Sequence, residues 1–435
     1  MLNPTEEQLS FQAEVRRFLG RSWPLSVTRT ALEAGQAYDP AAWSQLAGLG
    51  ALGLLVPDEH GGAGAGVTEA AFVCEELGRV LLPAPYLSSA VISARLLSLL
   101  AGGALADGAT TARAGTGENL AGETVARYLE GIAAGGTVAT TAFLDGHGRW
   151  APEAVAVRAE PAGGPPEPEW SQGPGWRLSG TVPFVADAES AGLILVPAVA
   201  PDGLGVFAVE KVPGAAGSMG AAGSAGSAGS AGLAVEPLEC LDLTQPLSRV
   251  RFDAVPAVRL GPAAGAAGAA GAAGAAGAAG AAAVMGDVAD TATACAVAAA
   301  LGAAEQCLDL SVGYAKTRVQ FGRSIGSYQA IKHLCADMFG AVQSARSAVH
   351  NLLDVLDHGP GPGTPEAALA VSIAKAYGSD VLVECAKNSI QIHGGIGLTW
   401  EHEAHYYLRR AMAHAHLLGD AGYHRQRVAH LIGAS

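Results

Sequence analysis

Two short segments carry residue types that could grip a phosphorylated cofactor. The first is RVQFGRSIG (318–326), followed by Gln329. Its arginines, Arg318 and Arg323, can fork onto phosphate oxygens through charge-assisted hydrogen bonds. Phe321 offers a flat surface to a ring, and the glycines permit a tight turn. Taken alone, the segment reads equally well as an exposed turn between helices. The second is QIHGGIG (391–397), whose Gly394-Gly395 pair lets main-chain N–H groups approach a pyrophosphate or ribose closely. Taken alone it is a helix terminator, and His393 a satisfied polar residue. With Arg318 and Gln391 lying 73 positions apart, the two together form a specific combination.

The elements that must position them follow from periodicity. Residues 5–105 read mostly as helix, with apolar faces marked by Leu9, Val15 and Phe18 and by the run from Ala70 to Leu82. Pro57, Gly61 and Gly62 break that pattern at a sharp connector. Residues 108–120 read as a small, polar surface loop. Short apolar segments at 137–144, 154–160, 175–185, 191–199 and 205–212, separated by Gly and Pro, have the rhythm of an all-β unit. GSMGAAGSAGSAGSAG (217–232) reads as an enlarged hairpin loop. The Gly/Ala tract at 261–283 lacks the prolines of collagen and reads as a flexible tether, spanning roughly 25–30 Å as a coil. Helical periodicity returns over 292–318, 329–357, 365–392 and 402–432, the last interrupted near Gly419, which predicts an antiparallel bundle.

Composition narrows the function. At 435 residues and 50% hydrophobic content, the chain can build two or three cores. A net charge of −14 with no long basic block argues against a nucleic-acid surface. Cys74, Cys240, Cys295, Cys307, Cys335 and Cys385 form no CxxC pair and read as reduced thiols, with no metal site predicted. The amino terminus reads as a helix capped by Thr5 ahead of Glu6 and Glu7, without a signal core. Apolar stretches elsewhere are interrupted, so no membrane span and a cytoplasmic location are expected.

The segments YAKTRVQFGRSIGSYQAIKH (314–333) and QIHGGIGLTWEH (391–402) resemble the FAD-dependent acyl-CoA dehydrogenases. The resemblance extends to GLLVPDEHGGAG (53–64) and GWRLSGTVPFVADAESAGLILVPA (175–198), and leaves out the Gly/Ala tracts. It implies an α+β multidomain chain: an amino-terminal helical domain (1–125), a middle β-barrel (136–256), the Gly/Ala linker (257–283) and a carboxy-terminal four-helix bundle (284–435). It also implies FAD as cofactor, with Arg318 at the pyrophosphate and Phe321 beside the adenine. Gln329 would hydrogen-bond the cofactor, and Gln391, Gly394 and Gly395 would cradle its adenosine diphosphate half. Thr141 and Phe184 fall at the flavin-facing positions of the middle domain. The implied partners are an acyl-CoA substrate, an electron-transfer flavoprotein or similar acceptor, and a dimeric or tetrameric assembly with itself or a sibling chain.

The family reaction needs a carboxylate to take the α-proton of the thioester while hydride leaves the β-carbon. The family's usual glutamate position is Leu418 here, ahead of Gly419 and Asp420. The second family position is Ala292, with Asp290 two residues earlier. Asp420 is the substitute base to consider, against its reading as a helix N-cap. Asp290 reads as a surface or capping residue. The Thr-Glu-Pro loop of the family is Thr141-Ala142-Phe143, and Ala186 lacks the hydroxyl found near the flavin. These departures are similar to those of actinobacterial partner subunits that lack the base. A flavin subunit of a heteromeric dehydrogenase, a non-catalytic assembly partner, and a flavin oxidase or monooxygenase on the same fold all remain open at this point.

Overall fold

Thr5 starts the first helix through a capping box: its side chain accepts the Gln8 N–H, and the Gln8 side chain answers at the Thr5 N–H. The computed structural model describes residues 4–35, 38–106, 116–162, 175–211, 231–260 and 273–434, giving only the helical path for 103–106, 116–121 and 273–279. The helices α1 (Glu6–Ser22), α2 (Leu25–Glu33), α3 (Pro40–Gly48), α4 (Val67–Val80), α5 (Ala94–Ala106) and α6 (Thr116–Ala133) make the amino-terminal part. A π-helical segment, Tyr86–Ser93, leads into α5. Residues 116–120, read above as loop, belong to α6, and 107–115 lie outside the described residues. The helix also runs past position 125, where the first domain was expected to end.

Seven strands follow: β1 (Ala139–Thr141), β2 (Arg158–Pro161), β3 (Trp176–Ala186), β4 (Leu193–Ala200), β5 (Gly203–Glu210), β6 (Leu233–Pro237) and β7 (Leu247–Leu260). The pairing order β1-β4-β2-β3-β7-β5 closes on itself, because β5 also pairs with β4 along its whole length. β6 adds to β7. The closed ring is β4-β2-β3-β7-β5, with β1 and β6 each paired on one side among the described strands, and the barrel interior is filled by Val182, Ile194, Phe207 and Phe252. The tract at 217–232 falls almost entirely outside the described residues.

The second Gly/Ala tract behaves differently from the tether expected. Residues 257–260 finish β7, and α7 (Ala273–Thr317) begins inside the tract, so 273–283 are helical. Residues 261–272 lie outside the described residues. Alanine has the highest helix propensity, and each glycine costs about 1 kcal/mol against it. The later turns of α7 are buried, and helix extension from that anchored core overrides the glycines.

The bundle is completed by α8 (Gln329–Asp357), α9 (Pro365–His393), α10 (Ala404–His414) and α11 (Ala421–Leu431), with a two-strand hairpin of β8 (Val319–Gln320) and β9 (Arg323–Ser324) between α7 and α8. α7 crosses α4 backbone to backbone. A Cβ on Gly78 would sit 2.0 Å from the Ala299 carbonyl oxygen, and one on Gly302 1.8 Å from that of Glu75. Asp357, at the end of α8, accepts the Val67 and Thr68 N–H groups at 2.8 Å each, supplying the cap that Gly66 cannot. Arg346 on α8 meets buried Glu75, and Arg16 on α1 meets buried Glu76. These contacts fuse the amino-terminal helices to the bundle.

Gly280–Thr317 is long and apolar enough to cross a membrane by length and composition, and its most apolar stretch is largely buried within the protein. Among the described residues the cysteines are all free, with Cys74, Cys295, Cys307 and Cys385 buried.

Candidate functional site

α7 and α9 pack side by side and end together, which brings the two motif segments into contact. Tyr314, in the last turn of α7, stacks on His393, the last residue of α9, with ring centroids 4.5 Å apart. His393 stacks in turn on His402 at 4.3 Å, and burial holds both imidazoles below their ordinary pKa. A neutral ring tower therefore joins segments far apart in sequence.

The chain between β8 and β9 turns on Phe321 and Gly322, with φ of 52° and 79°. Left-handed backbone at both central residues is the type I′ hairpin geometry, which glycine accepts freely and phenylalanine rarely adopts. The result is a Phe321 ring that is 91% exposed at the tip. Arg318 is exposed, and no carboxylate pairs with its guanidinium among the described residues. Gln329, at the start of α8, meets His333 at 2.9 Å. Gln391, Gly394 and Gly395 are exposed at the end of α9, and a Cβ on either glycine would meet nothing within 4 Å. An unneutralised guanidinium, an uncovered ring and an open glycine turn lie around one stacked junction. That donor set fits a dinucleotide pyrophosphate and adenosine.

A cavity of about 410 Å³ lies between the barrel and the bundle, bordered by Phe184, Leu247, Arg149, His416, Leu417 and Tyr423. Phe184 thus lies where a planar ring could enter. Thr141 is elsewhere: it is buried, and its hydroxyl pairs with Ser93 at 3.1 Å, so it presents no group to that cavity. Downstream of Phe184, Asp187 has a left-handed φ of 55° and accepts the Ser88 hydroxyl at 2.6 Å. Burial pushes its carboxyl up to about 6.

Asp420 also borders the larger cavity, but its carboxylate is committed. Oδ1 accepts the Tyr423 N–H, capping α11, and that bond holds its pKa below the ordinary carboxylate value. The capping alternative is the one the geometry realises, because a first-turn N–H has no helical acceptor of its own.

Leu418 and Ala292 are buried in the same apolar cluster. Both positions from which the resemblance would have drawn a carboxylate are therefore filled by hydrocarbon. The Leu418 N–H donates to the Gly148 carbonyl at 2.8 Å, tying the α10–α11 turn to the loop after β1. The turn rests on Lys375, whose ammonium is fully buried, donates to Ser379 and to the His414 carbonyl at 2.8 Å each, and is pushed down to about 7 by burial.

A second cavity, about 220 Å³, adjoins the first, with Arg149 and Tyr423 bordering both. Asp290 borders it, 6% exposed, with Oδ2 accepting the Gly363 N–H at 3.1 Å. Of the two readings from sequence, surface or capping, burial excludes the first, while Asp290 does accept a backbone N–H just ahead of α9. Sequence reasoning did not single out Arg149, Tyr423, His424 or Lys375. No local motif marks them, since their roles arise from α9, α11 and the β1 loop meeting at one turn.

The model of the acyl-CoA dehydrogenase N-terminal domain matches residues 5–103, and that of the C-terminal domain matches residues 278–432. Acyl-CoA dehydrogenase IpdE2 of Mycolicibacterium smegmatis is 28% identical over 418 residues, covering 95% of each chain. Acyl-CoA dehydrogenase FadE34 of Mycobacterium tuberculosis is 29% identical over 389 residues, which is 89% of this chain and 42% of that protein. Among solved structures, a Tcur3481–Tcur3483 steroid ACAD variant superimposes with a TM-score of 0.74 at 26% identity, covering 98% of both chains. The ChsE4–ChsE5 complex from Mycobacterium tuberculosis gives 0.73 at 24% identity, covering 100% of this chain and 99% of that one, a likeness of fold.

Proposed function

The chain belongs to the acyl-CoA dehydrogenase family, and from that premise we propose that it is an FAD-binding subunit of a heteromeric enzyme that α,β-dehydrogenates an acyl-CoA thioester. The observation that carries this reading is the Tyr314–His393 stack, which gathers Arg318, Phe321 and the Gln391–Gly397 turn into one exposed surface. Arg318 would pair with the pyrophosphate, Phe321 would cover the adenine, and the main chain at Gly394 and Gly395 would approach the ribose and phosphate. Gln329 would hydrogen-bond the cofactor from the first turn of α8. Bound FAD would supply the acceptor for hydride leaving the β-carbon.

Phe184 and the cavity beside it suit a flat ring. The assembly reading draws support from the Tcur3481–Tcur3483 steroid ACAD, named for two gene products, and extends to this chain the expectation of a sibling subunit and a steroid-type acyl group. An electron-transfer flavoprotein or similar carrier would reoxidise the cofactor. Phe321 at the tip of its hairpin, uncovered in the single chain, is the feature a neighbouring subunit's cofactor would cover.

A second reading, an assembly partner without chemistry of its own, is favoured by the hydrocarbon at Leu418 and Ala292. Co-expression with a sibling chain separates the two. Flavin bound by the pair, together with acyl-CoA turnover that depends on residues of this chain, supports a catalytic subunit. Turnover indifferent to every cavity residue of this chain leaves the assembly role alone.

A further inference from the structure

The smaller cavity has a chemical bias of its own. Asp290 projects from α7 beside Thr293, one turn along, and the opposite wall carries His424 and Arg427 from α11. His424 is buried, and its Nε2 lies 2.9 Å from the Leu418 carbonyl oxygen. A carbonyl can only accept, so the hydrogen of the neutral ring is on Nε2, and Nδ1 is a bare acceptor with no hydrogen-bond partner among the described residues. Arg149 and Tyr423 border both this cavity and the larger one, the guanidinium lying 4.8 Å from the ring centroid.

We propose that this cavity receives the reacting end of the acyl thioester and that Asp290 is the carboxylate that accepts its α-proton. This rests on the acyl-CoA reading above. In the step, the Cα–H bond breaks, an O–H bond forms on Asp290, and the electron pair remains on the substrate as the thioester enolate. Charge gathers on the enolate oxygen, and Arg149 and Arg427 supply the cations bordering the cavity. A volume of about 220 Å³ suits the thioester and its first carbons, with the remainder of the ligand outside.

Three features favour Asp290 over Asp420. Asp290 is buried where Asp420 is exposed, and since each has one oxygen held by a backbone N–H, burial is what separates them. Burial pushes its carboxyl above the ordinary value, towards the range a base needs, whereas the cap lowers that of Asp420. The cavity also adjoins Leu418, where the missing glutamate would stand.

The test uses the full chain co-expressed with its sibling and a 3-thia acyl-CoA thioester carrying a steroid-type acyl group, whose β-sulfur leaves no hydride to transfer. Mass spectrometry in D₂O follows α-hydrogen exchange, a readout independent of turnover. Asp290→Asn keeps an acceptor for Gly363 and is expected to slow exchange about 100-fold or more, while Asp290→Glu restores part of the rate and Asp420→Asn has none of this effect. Melting temperatures of the variants control for folding. If wild type exchanges and a folded Asp290→Asn exchanges as fast, the assignment of Asp290 is overturned while the acyl-CoA reading stands. If the wild-type assembly neither binds the thioester nor exchanges its hydrogen, both fall.

Discussion

Asp420 Oδ1 receives the Tyr423 N–H at 2.7 Å, so the carboxylate two residues beyond Leu418 works as the cap of α11. Replacing it with alanine removes that acceptor and is expected to cost about 1 kcal/mol of stability, read as a shift in urea midpoint. Asp420→Asn, which caps as well, is expected to stay within a few tenths of that unit and to leave turnover of an active assembly unchanged.

Arg318 is exposed at the junction made by Tyr314 and His393, with no carboxylate partner among the described residues. Losing a charge-assisted fork onto a pyrophosphate is expected to weaken FAD binding about 10- to 100-fold in Arg318→Ala, measured by flavin titration of the co-expressed assembly. Arg318→Lys should recover part of it, since a point charge keeps attraction but not the bidentate geometry.

The crossing of α4 and α7 admits no side chain at Gly78 or Gly302. Alanine at either position would force its methyl into a backbone carbonyl, and the helices would have to separate. Each substitution is expected to destabilise by about 1–3 kcal/mol, seen as a lowered melting temperature.

Asp187 offers a pH signature. Its carboxyl titrates near 3.8 when unfolded and is raised to about 6 when folded. Its contribution is fully present below the unfolded value and is lost as pH rises through about 6. Asp187→Asn removes that dependence, so the variant should gain on the wild type between pH 4 and 7, by about 3 kcal/mol above pH 7. Urea midpoints of the two proteins across that range provide the check.

Some of this was legible in sequence because it is local. The Thr5 capping box, the β8–β9 turn with its glycine, and the Gln391–Gly397 terminator each lie within a few residues, where spacing carries the physics. Helices α8 and α9 were placed within a residue, since strong apolar periodicity and Pro365 mark their bounds. The start of α7 was missed because a Gly/Ala tract has no periodicity, and only the buried turns that follow make it a helix. Thr141, and Asp290 in its surface reading, were misplaced for another reason. Burial is a property of the elements that cover a residue, and Ser93 and Gly363 are remote from them in sequence.

Leu418 and Ala292 share an apolar cluster, which decides what the α10–α11 turn can tolerate. A glutamate placed at 418 would be buried among hydrocarbon, at a cost of several kcal/mol for an unpaired carboxylate. Position 418 is thus closed to charge by its own neighbours. Installing an acid there takes more than one substitution, because a polar partner or a wet pocket has to be built around it at the same time. A base engineered into this chain would sooner come from a carboxylate that already borders a cavity.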